Sequence, residues 1–264
     1  MEEVTTSDFN RLWESITRNR ALADRLGITQ DVPLIGFDRS EQLPRKEIAR
    51  NLNRMVGEIV QCRRCELGVN RIRRGVRAVP GEGHPQAIVA FIGETPGKEE
   101  ERPNRGRGAS PVGRPFVGRS GQLLDRVIEY LGLKREQVFI SNTTKCRSLH
   151  PDKLPPEDTP PLTSQVQACM PYLHDQLGLI QPWLIVCLGK SAATAILEVS
   201  PTSKMTELKS QIYDYPRDPR IKVWVAYHPS FILRNMSQEL IPYTEDFRVV
   251  RAILRKAIEN ARNR

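Results

Sequence analysis

The chain has 264 residues, 39% of them hydrophobic, which is enough to bury one sizeable core with an appended arm rather than a second full domain. Forty Lys and Arg against 31 Asp and Glu give a formal charge of +9, which favours a polyanionic partner without deciding one. Residues 1–20 begin with acids and contain no apolar stretch, so they read as neither a signal peptide nor a membrane span; a cytoplasmic location is expected, and five Cys in such a chain argue against a disulfide framework.

In chain order, residues 1–55 hold helix-like patches at Leu12, Trp13 and Ile16 and again at Ile48, Leu52 and Met55. They are joined by a stretch with Pro and Gly and are read as an N-terminal helical extension, with the main domain at 56–264. From residue 86 the pattern changes to short apolar runs at 87–92, 138–140, 183–188 and 223–227, each read as a buried strand. Leu123, Leu124, Val127, Ile128 and Leu131 share one helical face that Gly132 ends, and 191–197 is an apolar segment after the third strand. Strands alternating with helices predict an α/β domain around a mostly parallel four-stranded sheet. In such sheets ligands sit beyond the carboxyl ends of the strands. Those positions hold Gly93-Glu94-Thr95-Pro96-Gly97, Asn142 and His228-Pro229-Ser230, so three loops are expected to form one site. The Arg- and Gly-rich 102–114 stretch and the Pro-rich 148–163 stretch lack periodicity and are read as surface insertions.

Several common motifs are absent. Gly189-Lys190-Ser191 mimics the tail of a phosphate-binding loop, but the first Gly of that motif is replaced by Leu184. No nucleophile-elbow, zinc-protease helix or dinucleotide fingerprint occurs. Cys62-Arg63-Arg64-Cys65 has the spacing with which two thiolates grip one metal, and Cys146 and Cys169 can complete a four-sulfur shell; on spacing alone zinc ranks ahead of an iron-sulfur group, and unrelated buried thiols are the other reading. Cys187 lies within an apolar strand and is read as core.

Taken in order, these motifs resemble the iron-sulfur, family 4 uracil-DNA glycosylases. The resemblance runs from the Cys pair through Gly-Glu-Gly-His-Pro at 81–85, the strand ending in Gly-Glu-x-Pro-Gly and Gly-Arg-Pro-Phe-Val-Gly at 113–118. It continues through the Gly-Gln-Leu-Leu helix start, Ser-Asn-Thr-Thr-Lys-Cys-Arg at 141–147, Cys169 and His-Pro-Ser-Phe-Ile-Leu-Arg at 228–234, covering about residues 60–236. It implies a three-layer α/β/α fold, a [4Fe-4S] cluster on Cys62, Cys65, Cys146 and Cys169, and uracil-containing DNA as substrate for a chain acting as a monomer. Departures are Thr95 in place of a small or amide residue, the insertion after Glu101, and 22 residues between Cys146 and Cys169.

The implied chemistry needs residues of these types. A base inside a duplex must be extruded, then recognised by stacking and by its Watson-Crick edge. Phe116 is the expected stacking face, and Asn142, which donates and accepts, suits uracil O4 and N3–H and opposes cytosine. Gly93, Thr95 and Gly97 are expected to bring backbone close to the base. Bond cleavage leaves positive character on the sugar and negative charge on the base. His228 is the expected donor to the base and Glu94 the carboxylate that orients water, with Glu100 as a second acid. Ser230, Phe231, Ile232, Leu233 and Arg234 are assigned to DNA, the apolar residues as a wedge into the stack and Arg234 on phosphate. Arg63, Arg64, Arg71, Arg73, Arg74 and Arg77 add a basic cluster beside the first Cys pair. Two other classes stay open: a binding module of the same fold with altered or lost chemistry, and a zinc-stabilised nucleic-acid-binding protein. The absence of His between Arg102 and Arg119 disfavours a covalently DNA-trapping version of the first.

Overall fold

A computed structural model describes residues 42–102, 110–150 and 152–262, with side chains up to residue 255. The helical patch expected at Leu12–Trp13–Ile16 and the centre of the Arg-rich insertion lie outside the described residues.

Four parallel strands form the frame: β2 (Val89–Gly93), β3 (Phe139–Asn142), β4 (Leu184–Leu188) and β6 (Asp218–Ala226). The sequence-predicted runs fall on all four. Two edge strands extend the sheet, β1 (Glu82–Gly83) on β3 and β5 (Ile212–Tyr215) on β6, both antiparallel, giving the order β1-β3-β2-β4-β6-β5. They are short or half-exposed and carry no continuous apolar run, which is why periodicity passed over them.

Burial on both faces explains the composition of the central strands. In β2, Val89 and Phe91 point into one apolar layer and Ala90 and Ile92 into the other. The first layer is completed by α4 (Arg119–Tyr130), α8 (Pro229–Arg234) and α9 (Met236–Arg262), and the second by α5 (Thr163–Ile180), α6 (Lys190–Leu197) and α7 (Met205–Leu208). The result is the three-layer arrangement. Helix α4 carries the apolar face expected of it and stops at Gly132, whose φ of 80° suits glycine. Helix α1 (Arg45–Gln61) runs through residue 55, packs on α5, and ends at Cys62, so it delivers the first Cys pair; α2 (Glu66–Arg73) leaves from Cys65. The remaining element, α3 (Lys98–Glu101), is one turn behind the loop that follows β2. Among the described residues, no helix is long and apolar enough to cross a membrane.

Phe91 lies fully buried at the centre of the sheet. Phe91→Ala is expected to cost about 3–5 kcal/mol through lost transfer energy and the cavity left behind, read from denaturant unfolding midpoints.

Candidate active site and cysteine cluster

The carboxyl ends of β2 and β3 stop side by side, with Gly93 paired to Asn142. An added Cβ at Gly93 would sit 2.4 Å from Asn142 Oδ1 and 2.6 Å from Phe116 Cζ. The ring and the amide therefore press against bare backbone, and only glycine fits between them. Phe116 itself has φ of 51° and is nearly buried. Its turn is fixed from two sides. Gly121 of α4 lies so close that a Cβ there would approach Phe116 O to 1.8 Å. Arg135 donates to Phe116 O at 3.3 Å and Pro115 O at 2.6 Å while pairing with Glu82 and Asp125.

The His228 ring faces Phe116 with centroids 5.7 Å apart. His228 caps α8: its Nδ1 accepts from the Ser230 backbone N–H at 3.1 Å and lies 2.8 Å from Ser230 Oγ. That bond leaves the proton of the neutral ring on Nε2. Burial, then the charge of Arg234, pushes the imidazole down to about 4, so the ring is neutral near pH 7. Ser230 thus orients the histidine from within the loop.

Glu94 follows Gly93 and accepts a 2.5 Å hydrogen bond from Ser191 Oγ at the start of α6. Ser191 was missed by sequence reasoning, although the rule about strand ends pointed to it. Gly189-Lys190-Ser191 follows β4 directly, and its failure as a phosphate loop hid its place as a fourth strand-end segment. Gly189, with φ of 94°, comes so near His228 that a Cβ would lie 3.2 Å from His228 Cβ. Four loops, rather than three, meet at this end of the sheet.

Glu100 lies on the side of Phe116 and Asn142. Burial pushes its carboxyl up to about 7, against the pull of the Phe116 and Gly97 N–H groups, Arg135 and the Asn142 amide. Its Oε2 and Asn142 Nδ2 are both buried near one another, yet among the described residues neither has a well-formed hydrogen-bond partner. Two polar atoms held dry and unpaired at one place are groups a bound ligand can satisfy.

Cys62, Cys65, Cys146 and Cys169 line one small cavity together with Arg64, Lys145 and Tyr172. The Lys145 backbone N–H donates to Cys169 Sγ at 3.3 Å, and an added Cβ on Gly68 would meet Cys62 O at 2.6 Å, so the chain folds tightly around the thiols. Among the described residues no three His, Cys, Asp or Glu side chains close around a single ion. Four cysteines around one cavity, sheltered and with cations beside them, are a donor set suited to an anionic metal-thiolate group.

The family model of the uracil DNA glycosylase superfamily matches residues 80–255. A type-4 uracil-DNA glycosylase of Sulfurisphaera tokodaii is 36% identical over 77% of this chain and 84% of its own length. The corresponding figures are 34%, 76% and 92% for one of Archaeoglobus fulgidus. The chain belongs to the type-4 uracil-DNA glycosylases. Similarity to the type-5 branch is lower, with 27% identity to the Thermus thermophilus member over 67% of this chain and 82% of that one.

Placed on this family member, some expected residues take different positions from those the motifs suggest. Ile232 is fully buried in the core, so it anchors α8 and has no surface to present to DNA. Phe231 stacks on Tyr227 with centroids 4.5 Å apart, Leu233 is half-buried against the same core, and Arg234 is exposed. Thr95 Oγ1 donates to Cys146 O at 3.1 Å and accepts from the Ser148 N–H at 3.2 Å, so its side chain ties two loops together. Gly97 caps α3, and a Cβ there would meet Glu100 Oε1 at an ordinary 3.7 Å. Of the basic cluster, Arg71 is buried, Arg74 pairs with the buried Glu101, and Arg64 lies over the Tyr172 ring; Arg63 and Arg73 face solvent.

The Glu100 carboxyl has a testable linkage. Its pKa is raised from 4.5 in the unfolded chain to about 7, so the native state keeps its proton over a range where the unfolded state has lost it. Stability from this group is complete below pH 4.5 and declines as pH rises towards about 7. Glu100→Gln is therefore expected to be more stable than the parent at pH 8, by on the order of 2 kcal/mol after allowance for partial exposure, with the advantage shrinking towards pH 5. Urea midpoints across that range measure it.

Proposed function

We propose that this chain is a uracil-DNA glycosylase that everts uracil from DNA and hydrolyses its N-glycosidic bond, releasing free uracil and leaving an abasic site. The observation that carries the proposal is the meeting of a ring, an amide, a neutral imidazole and a carboxylate around Gly93 at the carboxyl edge of the sheet.

Phe116 offers its face to the everted base, and its fixed turn means that little ordering is required on binding. Asn142 Nδ2, unpaired in the free protein, donates to uracil O4 while Oδ1 accepts from N3–H. Cytosine reverses both demands and leaves buried polar atoms unsatisfied. As the C1′–N1 bond breaks, its electron pair departs with the base and charge grows at O2. His228 meets that charge as a neutral donor through Nε2–H, since Nδ1 is engaged by Ser230. Glu94 is held by Ser191, stabilises the positive sugar, and takes a proton from the water that adds to C1′. Glu100 acts on the base side, bordering Asn142 and Phe116.

Cys62, Cys65, Cys146 and Cys169, which line one cavity, would hold a [4Fe-4S] cluster. Such a group would supply folding energy and rigidity to these loops rather than bond chemistry. DNA is held by exposed cations at the mouth of the site, with Arg234 on phosphate and the outer edges of Phe231 and Leu233 against the gap left by the everted nucleotide.

The test is incubation with an end-labelled oligonucleotide carrying one uracil, followed by alkali to cleave abasic sites. The chain should cut at uracil and leave the cytosine control intact. His228→Ala should lose about two to three orders of magnitude in single-turnover rate, equivalent to roughly 3 kcal/mol, with an unchanged melting transition. Near-parental excision by that variant contradicts the assigned role, and no cleavage by the parent chain refutes the activity.

A further inference from the structure

Among the described residues, two cations beside the cysteines are buried without a carboxylate partner. Arg71, on α2, is 4% exposed; its Nη2 donates to Val60 O at 2.6 Å, its Nη1 reaches Val76 O at 3.5 Å, and its Nε has no partner. The guanidinium lies beside the Cys146 thiol and favours its charged form. Lys145 is 1% exposed, and its Nζ donates to Ser141 Oγ at 2.6 Å and to Asn142 O at 2.9 Å, both neutral acceptors. Its neighbour in sequence but one, Arg147, is also buried, yet it is paired with Glu101 and Asp158. Burying a charge without a counter-charge is strongly unfavourable, and native structures avoid it by pairing or by binding an ion. Arg71 and Lys145 have neither among the described residues; Lys145 lines the cavity with the four cysteines, and Arg71 lies beside Cys146, one of the four.

We propose that Arg71 and Lys145 are the counter-charges of the cysteine-bound group, setting how firmly it is held and how readily it accepts an electron. The inference rests on the cysteine assignment made above. Four thiolates around a doubly positive iron-sulfur core leave roughly two units of negative charge, which two buried cations balance. Each cation also has a mechanical task. Arg71 ties the chain just before Cys62 to the segment at Val76. Lys145 binds the carbonyl of Asn142, so the charge of the cluster is one side chain away from the amide assigned to the base. Both are positioning residues, and neither touches substrate.

The full-length protein as purified provides the test, with Arg71→Met and Lys145→Met as neutral replacements of similar length and Arg71→Lys as the charge-conserving control. Iron and sulfide per chain, the rate of iron loss to a chelator, and the one-electron midpoint potential are read for each. Both Met variants should release iron about ten- to a hundredfold more readily, as loss of outer-shell partners does at metal sites. Their potentials should move negative, because removing positive charge disfavours reduction; a tenfold change in the redox equilibrium corresponds to 59 mV. Arg71→Lys should stay near the parent in potential. Lower melting temperatures with unmoved potentials and retention would make these residues structural and overturn the counter-charge role. A parent chain that carries no metal would instead remove the cysteine assignment, and this inference with it. Lys145→Met can fail to fold; the Arg71 pair alone then decides.

Discussion

Everything at the active end of this molecule depends on a missing side chain. Where β2 and β3 end together, Gly93 lets the Phe116 ring and the Asn142 amide close onto backbone, with a gap too small for even a methyl group. Phe116 adopts a left-handed backbone to get there, a conformation that costs a non-glycine residue about 1 kcal/mol or more and persists only when its surroundings enforce it. The enforcement is visible in Gly121 packed against its carbonyl and in Arg135, which bonds two successive carbonyls while anchored to Glu82 and Asp125. The strain and its clamps keep a flat surface ready opposite His228. A pocket organised in advance loses less on binding than one assembled around its ligand.

The second organising feature is the seam between that pocket and the cysteines. Thr143 and Thr144 donate from their backbone to Gly93 O and Glu94 O, and the Thr143 hydroxyl also donates to Glu94 O. Thr95 reaches back to Cys146 O and the Ser148 N–H. The loop with the proposed catalytic carboxylate is thereby laced to the loop with a proposed metal ligand. A cluster in the cavity would fix the second loop and, through these bonds, the first. In that proposed arrangement, a group taking no part in bond cleavage would still shape the pocket.

The legible parts of the sequence were those with one dominant local cause. Four buried strands announced themselves as apolar runs, and α4 through the spacing of Leu124, Val127, Ile128 and Leu131. Chemistry beyond strand ends was legible because topology places it there. Ile232 was misread because an apolar residue in an exposed motif and one anchoring a short helix have the same letter; only packing separates them. Arg71 was misread for a related reason. A basic run resembles a solvated face, while the burial of one member depends on chain packed around it at Val60, Val76 and Cys146. Helix α5 escaped because it carries Pro171 within it and starts from Leu162 rather than from Ser, Thr, Asp or Asn, with Gln165 accepting from the Leu162 N–H. Ser191 was hidden by a motif that it failed to complete.

The central claim is that one everted pyrimidine occupies the space between Phe116, Asn142 and His228. The most direct measurement is a crystal structure of the Glu94→Gln chain with an oligonucleotide containing uracil. The account requires the uracil ring on Phe116, its O4 and N3 on the Asn142 amide and its O2 towards His228 Nε2. A base that stays stacked in the DNA, or settles elsewhere on the protein with those three side chains untouched, would contradict it.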